Sequence, residues 1–201
     1  MSDVASAAAA EAAHPIRLLV DDDLKRTRLT VFFRLLLVIP HAIVVALWGI
    51  AVFFAVIVAW FAALFTGRVP DGLHAFAAKF LRYATHVNAY LFLIADPFPA
   101  FGGGDPYPVD LHVDPPTSQG RLGVAFRLVL AIPALILENI LSQLLQIIAF
   151  IGWFYALATG RMSPGLRDVA AFCLRYEMQT FGYVALLTNR YPSLSSPAIA
   201  P

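Results

Sequence analysis

The chain has 201 residues, 60% of them hydrophobic and 13% charged, with a net charge of +1. Soluble domains average about 45–50% apolar and about 25% charged residues, so a mean hydropathy of +0.74 leaves too little polar surface for a water-facing globule and points to the bilayer. A near-neutral charge without a basic run excludes nucleic acid as a partner, and Cys173, the only cysteine, excludes an internal disulfide or thiolate cluster.

Residues 1–13 carry Asp3 and Glu11, no Lys or Arg and no apolar core. That is not a cleavable signal, and the expectation is a disordered Ala-rich tail. PIRLLVD then offers a brief strand. DDDLKRTR leads into an interfacial segment containing Arg28 and Arg34, with a kink at Pro40. From Leu35 to Phe65 there is no Asp, Glu, Lys, Arg, Asn or Gln, the signature of a membrane helix. The stretch 41–65 would run about 37 Å. Trp60 near its end suits an aromatic belt. Thr66-Gly67-Arg68 is a helix stop, Gly67 supplying the left-handed cap and Arg68 a charge at the negative end of the dipole.

A second helix is expected over 73–95. Lys79, Arg82 and His86 recur at steps of three and four and form one stripe. The helix either spans with that stripe turned into a bundle or lies in the interface with it toward headgroups. The Gly-rich segment 100–106 is a linker.

The chain then repeats itself. WFAALFTGR at Trp60 returns as WFYALATGR at Trp153, and RLTVFFRLLLVIP at Arg28 as RLGVAFRLVLAIP at Arg121, all at one offset of 93 residues. Leu81-Arg82-Tyr83 returns as Leu174-Arg175-Tyr176, and Gly67-Arg68 as Gly160-Arg161. The units are 14–99 and 107–192, followed by a tail over 193–201 expected to be disordered. The expected fold is an all-α membrane protein made by tandem duplication of a helix hairpin. It has four transmembrane or membrane-embedded helices, with a short strand before each unit and the two strands able to pair. Two spanning hairpins put both termini on one side and make the repeats parallel, and counting Lys and Arg on the two sides puts the termini in the cytoplasm.

The order RL…FRL…IPH, WFA.LFTGR.P.GL, LRY…AY and a closing Asp-Pro-Phe-Pro resembles an uncharacterised family of prokaryotic membrane proteins catalogued as domain of unknown function 4389. The likeness covers both repeats. The second copy departs from it where Ala134 replaces His41 and Asn189-Arg190 replaces Asp96-Pro97. The resemblance implies a multi-helix membrane protein and brings no catalytic residues or cofactor.

Function is sought where the copies differ. Glu138, Asn139, Ser142, Gln143 and Gln146 stand where the first copy is apolar or small. An ionisable residue with amides in a membrane helix marks either a site or interhelical hydrogen bonding. Arg175 and Gln179 line the second copy's stripe, and depth along the hairpin makes Gln146 the expected partner of Arg175. The histidines have no metal-site spacing, so neither metal nor cofactor is expected. The leading expectation is a non-catalytic scaffold or interaction subunit in the cytoplasmic membrane, with lipid, other membrane proteins or a second copy as partners. The rival is a small transporter or channel with a polar path near Glu138 and Gln146.

Overall fold

The computed structural model describes residues 14–194; the tails expected to be disordered, 1–13 and the end of 193–201, lie wholly and mostly outside them. Strand β1 (Ile16–Val20) is followed by α1 (Arg28–Leu37), α2 (Ile39–Thr66) and α3 (Asp71–Leu91). Strand β2 (Val109–Val113) is followed by α4 (Arg121–Ala125), α5 (Arg127–Thr159) and α6 (Pro164–Val184).

The strands pair across the duplication. They are antiparallel, with Leu18 opposite Leu111 and Ile16 opposite Val113. Alternation puts Ile16, Leu18, Val20, Val109 and Leu111 in the core, while Arg17 reaches Asp114 at 2.9 Å. The sheet rests on α3 and α6, and these rest on α2 and α5, giving three layers. Small residues between the layers (Ala77, Ala89, Ala170, Ala171) let the backbones approach.

An approximate two-fold axis passes through the Leu18–Leu111 pair, and the copies run antiparallel. The His74 ring, at the start of α3, donates to the Leu187 carbonyl just past the end of α6, at 3.1 Å. Parallel repeats, expected from two membrane-spanning hairpins, are not what forms. Each copy's entry segment instead packs on the other copy's long helix, α1 on α5 and α4 on α2. Arg26 N–H donates to the Gly160 carbonyl at 3.0 Å, and Gln119 N–H to the Gly67 carbonyl at 2.8 Å.

The helix breaks have local causes. α1 ends at Leu37, and Pro40 opens the first turn of α2, as suits a residue with no N–H to satisfy. In the second copy the break comes at Phe126, three residues after Gly123, and Pro133 sits inside α5. Gly67 (φ 76°) and Gly160 (φ 71°) cap α2 and α5 in the left-handed region.

α3 and α6 stop by a different device. Leu93 and Leu186 each have φ 62°. Ile94 N–H donates to the Ala89 carbonyl and Leu93 N–H to Tyr90, and the second copy repeats both bonds. This is a Schellman cap with leucine where glycine is usual. The left-handed cost, roughly 1–2 kcal/mol, is offset by burial between copies. Leu93 packs with Val31, Ala156 and Met162, and Leu186 with Ala59, Ala63 and Val124.

Two helical stretches, Arg28–Thr66 and Arg127–Thr159, are long and apolar enough to cross a membrane by length and composition. The outer face of both is exposed and apolar, from Phe32 and Leu47 to Phe150 and Phe154.

Candidate functional site

The contact of each entry segment with the opposite long helix is built around a tryptophan. The Trp153 indole donates to the Val31 carbonyl at 2.9 Å, and the Trp60 indole to the Val124 carbonyl at 2.8 Å. Beside each indole lies a pocket, of about 420 Å³ at Trp153 and about 350 Å³ at Trp60. Their walls correspond through the repeat: Arg34 with Arg127, Leu35 with Leu128, Leu91 with Val184, Phe150 with Ile57 and Ala149 with Val56. One position changes character, Gln146 in the first pocket standing where the second has Phe53.

Arg34 and Arg127, read from sequence as interfacial, are 1% and 3% exposed. Arg34 donates to the Tyr90 carbonyl, to the Ala95 carbonyl at 3.0 Å and to Asp96 at 2.8 Å. Its guanidinium lies 4.3 Å from the Tyr90 ring centre, a favourable cation–π arrangement. Arg127 lies 4.2 Å from the Tyr183 ring centre and donates to the Thr188 carbonyl at 3.0 Å and to the Gln119 side-chain oxygen. Position 96 is aspartate and position 189 asparagine, and Asn189 donates to the Ser118 carbonyl. Among the described residues no carboxylate pairs with Arg127. The Nε of each arginine is buried and without a partner.

The polar residues of α5 are not gathered into a site. Glu138 and Ser142 are half-buried, while Asn139, Gln143 and Gln146 lie on the exposed face. Gln143 donates to Asn139 at 2.9 Å. Gln146 does not meet Arg175, which the depth argument had paired with it. Arg175 is 1% exposed, stacks over Phe172 and reaches the Leu194 carbonyl at 3.4 Å. Gln179 donates to the Ile16 carbonyl and accepts from Ser193 N–H, both at 3.0 Å. Azimuth decides: Arg175 and Gln179 are on the side of α6 that faces β1 and the C-terminal segment.

Glu177 is what that reading missed. It lies about 200° round α6 from Arg175. Burial, with the Glu138 charge adding to it, pushes its carboxyl up to about 7. The first copy has Ala84 and Val45 at these two positions, and comparing copies position by position over α6 as well as α5 would have found it.

Within the Lys79–Arg82–His86 stripe, Arg82 and His86 turn onto the sheet. Lys79 is exposed. Arg82 grips Asp110 with both arms, at 2.6 and 2.7 Å, and donates to the Gly103 carbonyl at 2.8 Å. The His86 ring is 3.0 Å from Asp110 and stacks on Tyr107 at 4.7 Å. Burial would raise the Asp110 pKa, but donation from His86, Arg82 and the Leu111 N–H outweighs it and holds the carboxyl well below its usual range. Arg82 and His86 lie against the sheet and the Gly-rich segment. Gly103 lies so close to Tyr83 that a Cβ would come within 3.1 Å of its Cα, which explains a glycine at that φ of 64°.

At the helix stops Arg68 pairs with Asp71 at 2.8 Å, and Arg161 forms a β-bridge with Lys25. Cys173 is buried, and burial pushes its thiol up to about 11. No group of three or more His, Cys, Asp or Glu that could hold a metal occurs among the described residues.

These features define a duplicated, two-fold-related helical fold with an apolar outer face. A family model described as Domain of unknown function (DUF4389) matches residues 28–102 and again 121–196. The chain belongs to that family and carries two tandem copies of its domain. The matches begin at the helices and leave both strands outside. Comparison with curated proteins and with solved structures finds no match.

Proposed function

We propose that this chain is a non-catalytic scaffold of the cytoplasmic membrane, embedded by the face formed from α1, α2, α4 and α5, with its sheet toward water. The observation that carries the reading is the outer face itself. Leu47, Phe54, Ile136 and Phe150 are each 60–67% exposed along helical stretches of 39 and 33 residues, and a water-soluble monomer rarely leaves so long an apolar face open. The opposite layer carries Arg17, Lys79, Asp105 and Asp114. Were the long helices to cross the bilayer upright, the two-fold axis would lie in the membrane plane and those charges near mid-depth. Each would cost roughly 2.5–3.5 kcal/mol. The helices therefore lie along one leaflet, and exposed Arg28, Arg68, Arg121 and Arg161 at their ends reach the headgroups.

The scaffold reading is supported by where the buried polar side chains point. Gln179 and His74 are spent on carbonyls of the other copy, and Arg34, Arg127 and Gln119 on carbonyls that tie each entry segment to the second helix stop of its own copy. Asn139 and Gln146, turned outward, weigh against an enclosed polar path.

The test places a single cysteine at position 68 or 161 in a Cys173→Ser background. Membrane-impermeant maleimide is applied to intact cells and to inverted vesicles. Embedding along one leaflet predicts that both positions label from the cytoplasmic side. Labelling from opposite sides would establish upright crossing and overturn the arrangement. Copurification from native membrane in mild detergent tests the scaffold role, and a lone species with no associated protein counts against it.

A further inference from the structure

We propose that the pocket beside Arg127 binds an anionic lipid, its acidic head on the Arg127 guanidinium and its chain along Phe53, Ile57 and Leu128. The inference goes beyond the scaffold reading and rests on the membrane only for the source of the ligand.

The two pockets are near copies in shape and differ in charge. In the first, Asp96 neutralises Arg34 at 2.8 Å. In the second, Asn189 stands at the matching position, and among the described residues the partners of Arg127 are neutral: the Thr188 carbonyl, the Gln119 amide oxygen and the Tyr183 side chain. A guanidinium 3% exposed without a counter-ion is costly, because burial removes water that neutral acceptors replace only in part. Its Nε is buried and unpartnered. The rest of the wall is hydrocarbon and the Trp60 indole. A cavity of about 350 Å³ with one cation at its edge suits a molecule with one acidic end and one apolar body. The ligand supplies the charge that Asp96 supplies in the first copy. A phospholipid phosphate and a fatty-acid carboxylate share that chemistry.

The test uses full-length protein in mild detergent, exchanged against phosphatidylglycerol, phosphatidylcholine or oleate, with bound lipid counted by native mass spectrometry. Wild type should retain one anionic lipid per chain and prefer it to phosphatidylcholine about tenfold, the worth of one charge-assisted hydrogen bond. Retention of phosphatidylglycerol identifies the membrane phospholipid, and retention of oleate alone a free fatty acid. Asn189→Asp, which restores the internal counter-ion, should abolish the preference. Asp96→Asn should create a second anion-preferring site. Equal retention of phosphatidylglycerol, phosphatidylcholine and oleate by wild type would overturn the proposal, as would an unchanged preference in folded Asn189→Asp. If Asn189→Asp does not fold, an Asp96→Asn chain that gains no second anion overturns it instead. Because the measurement is made in detergent, its failure is separate from failure of the embedding tested by maleimide.

Discussion

The Trp153 indole N–H donates to the carbonyl of Val31, 122 positions earlier in the chain, at 2.9 Å. The bond ties the end of one copy's long helix to the entry helix of the other. The Trp60–Val124 bond does the same in reverse. Replacing either indole by phenylalanine keeps most of the apolar area and deletes one hydrogen bond. Trp60→Phe and Trp153→Phe should each cost about 1 kcal/mol. The double variant should cost their sum, since the two bonds share no partner. Thermal unfolding in detergent measures all three, and a much larger loss for one single variant would break the equivalence.

Gly67→Val and Gly160→Val should damage the fold alike. Both positions hold φ above 70°, which a β-branched residue resists, and the left-handed penalty is at least roughly 1–2 kcal/mol. The Ala substitutions should cost less. Monodispersity on gel filtration reads the result. Wild-type behaviour of the valine variants would mean that the caps carry no strain.

Much of this was legible in the residues. The offset repeat and the two glycine caps follow from identity and pattern, and the short strands before the two units were recognisable as able to pair. Other features were not, for physical reasons. Leu93 and Leu186 stop their helices in a conformation leucine avoids, because contacts from the other copy outweigh local preference; no local signal announces that. The antiparallel arrangement was hidden because the reading of parallel repeats presumed a membrane crossed by two upright hairpins. Arg34 and Arg127 were read as interfacial because most of their partners are backbone carbonyls at distant helix stops, which sequence does not distinguish. The Arg82 stripe was visible, but its partner Asp110 sits alone in a strand of the other copy.

Asp110 predicts an acid limit. Its pKa is depressed in the folded protein, so its stabilising contribution is complete above its unfolded value, about 3.9, and is lost as pH falls below that. Asp110→Asn should lower stability at pH 7 by about 1–2 kcal/mol, since the Arg82 fork loses its charged acceptor. The variant should also lose less stability than wild type on acidification. Unfolding midpoints at pH 7 and pH 3 distinguish the two, and parallel losses would remove Asp110 as the acid-sensitive group.

Glu177 works in the opposite sense. Its carboxyl is pushed from 4.5 up to about 7, so the folded state favours the protonated form. Stability falls as pH rises from about 4.5 through about 7 and stays lower above that. Glu177→Gln should therefore raise stability at pH 8 by roughly 2–3 kcal/mol and change little at pH 4.5. Glu138→Gln should recover part of the gain by removing the neighbouring charge. Identical midpoints for wild type and Glu177→Gln at pH 8 would place that carboxylate in water.

The reciprocal strapping of the two copies bears on ancestry. A chain with a single unit would leave its strand unpaired, its long helix uncapped by a neighbour's entry segment, and the leucine at its second helix stop without a pocket. Such a chain meets all three needs only by associating with its own twin, through the same two-fold axis that now lies within one polypeptide. The present chain is thus organised as a homodimer fused end to end. In a homodimer any change at the position of Asp96 falls on both halves at once. Fusion releases that constraint, and the Asp96/Asn189 difference is a divergence that only the fused form can hold.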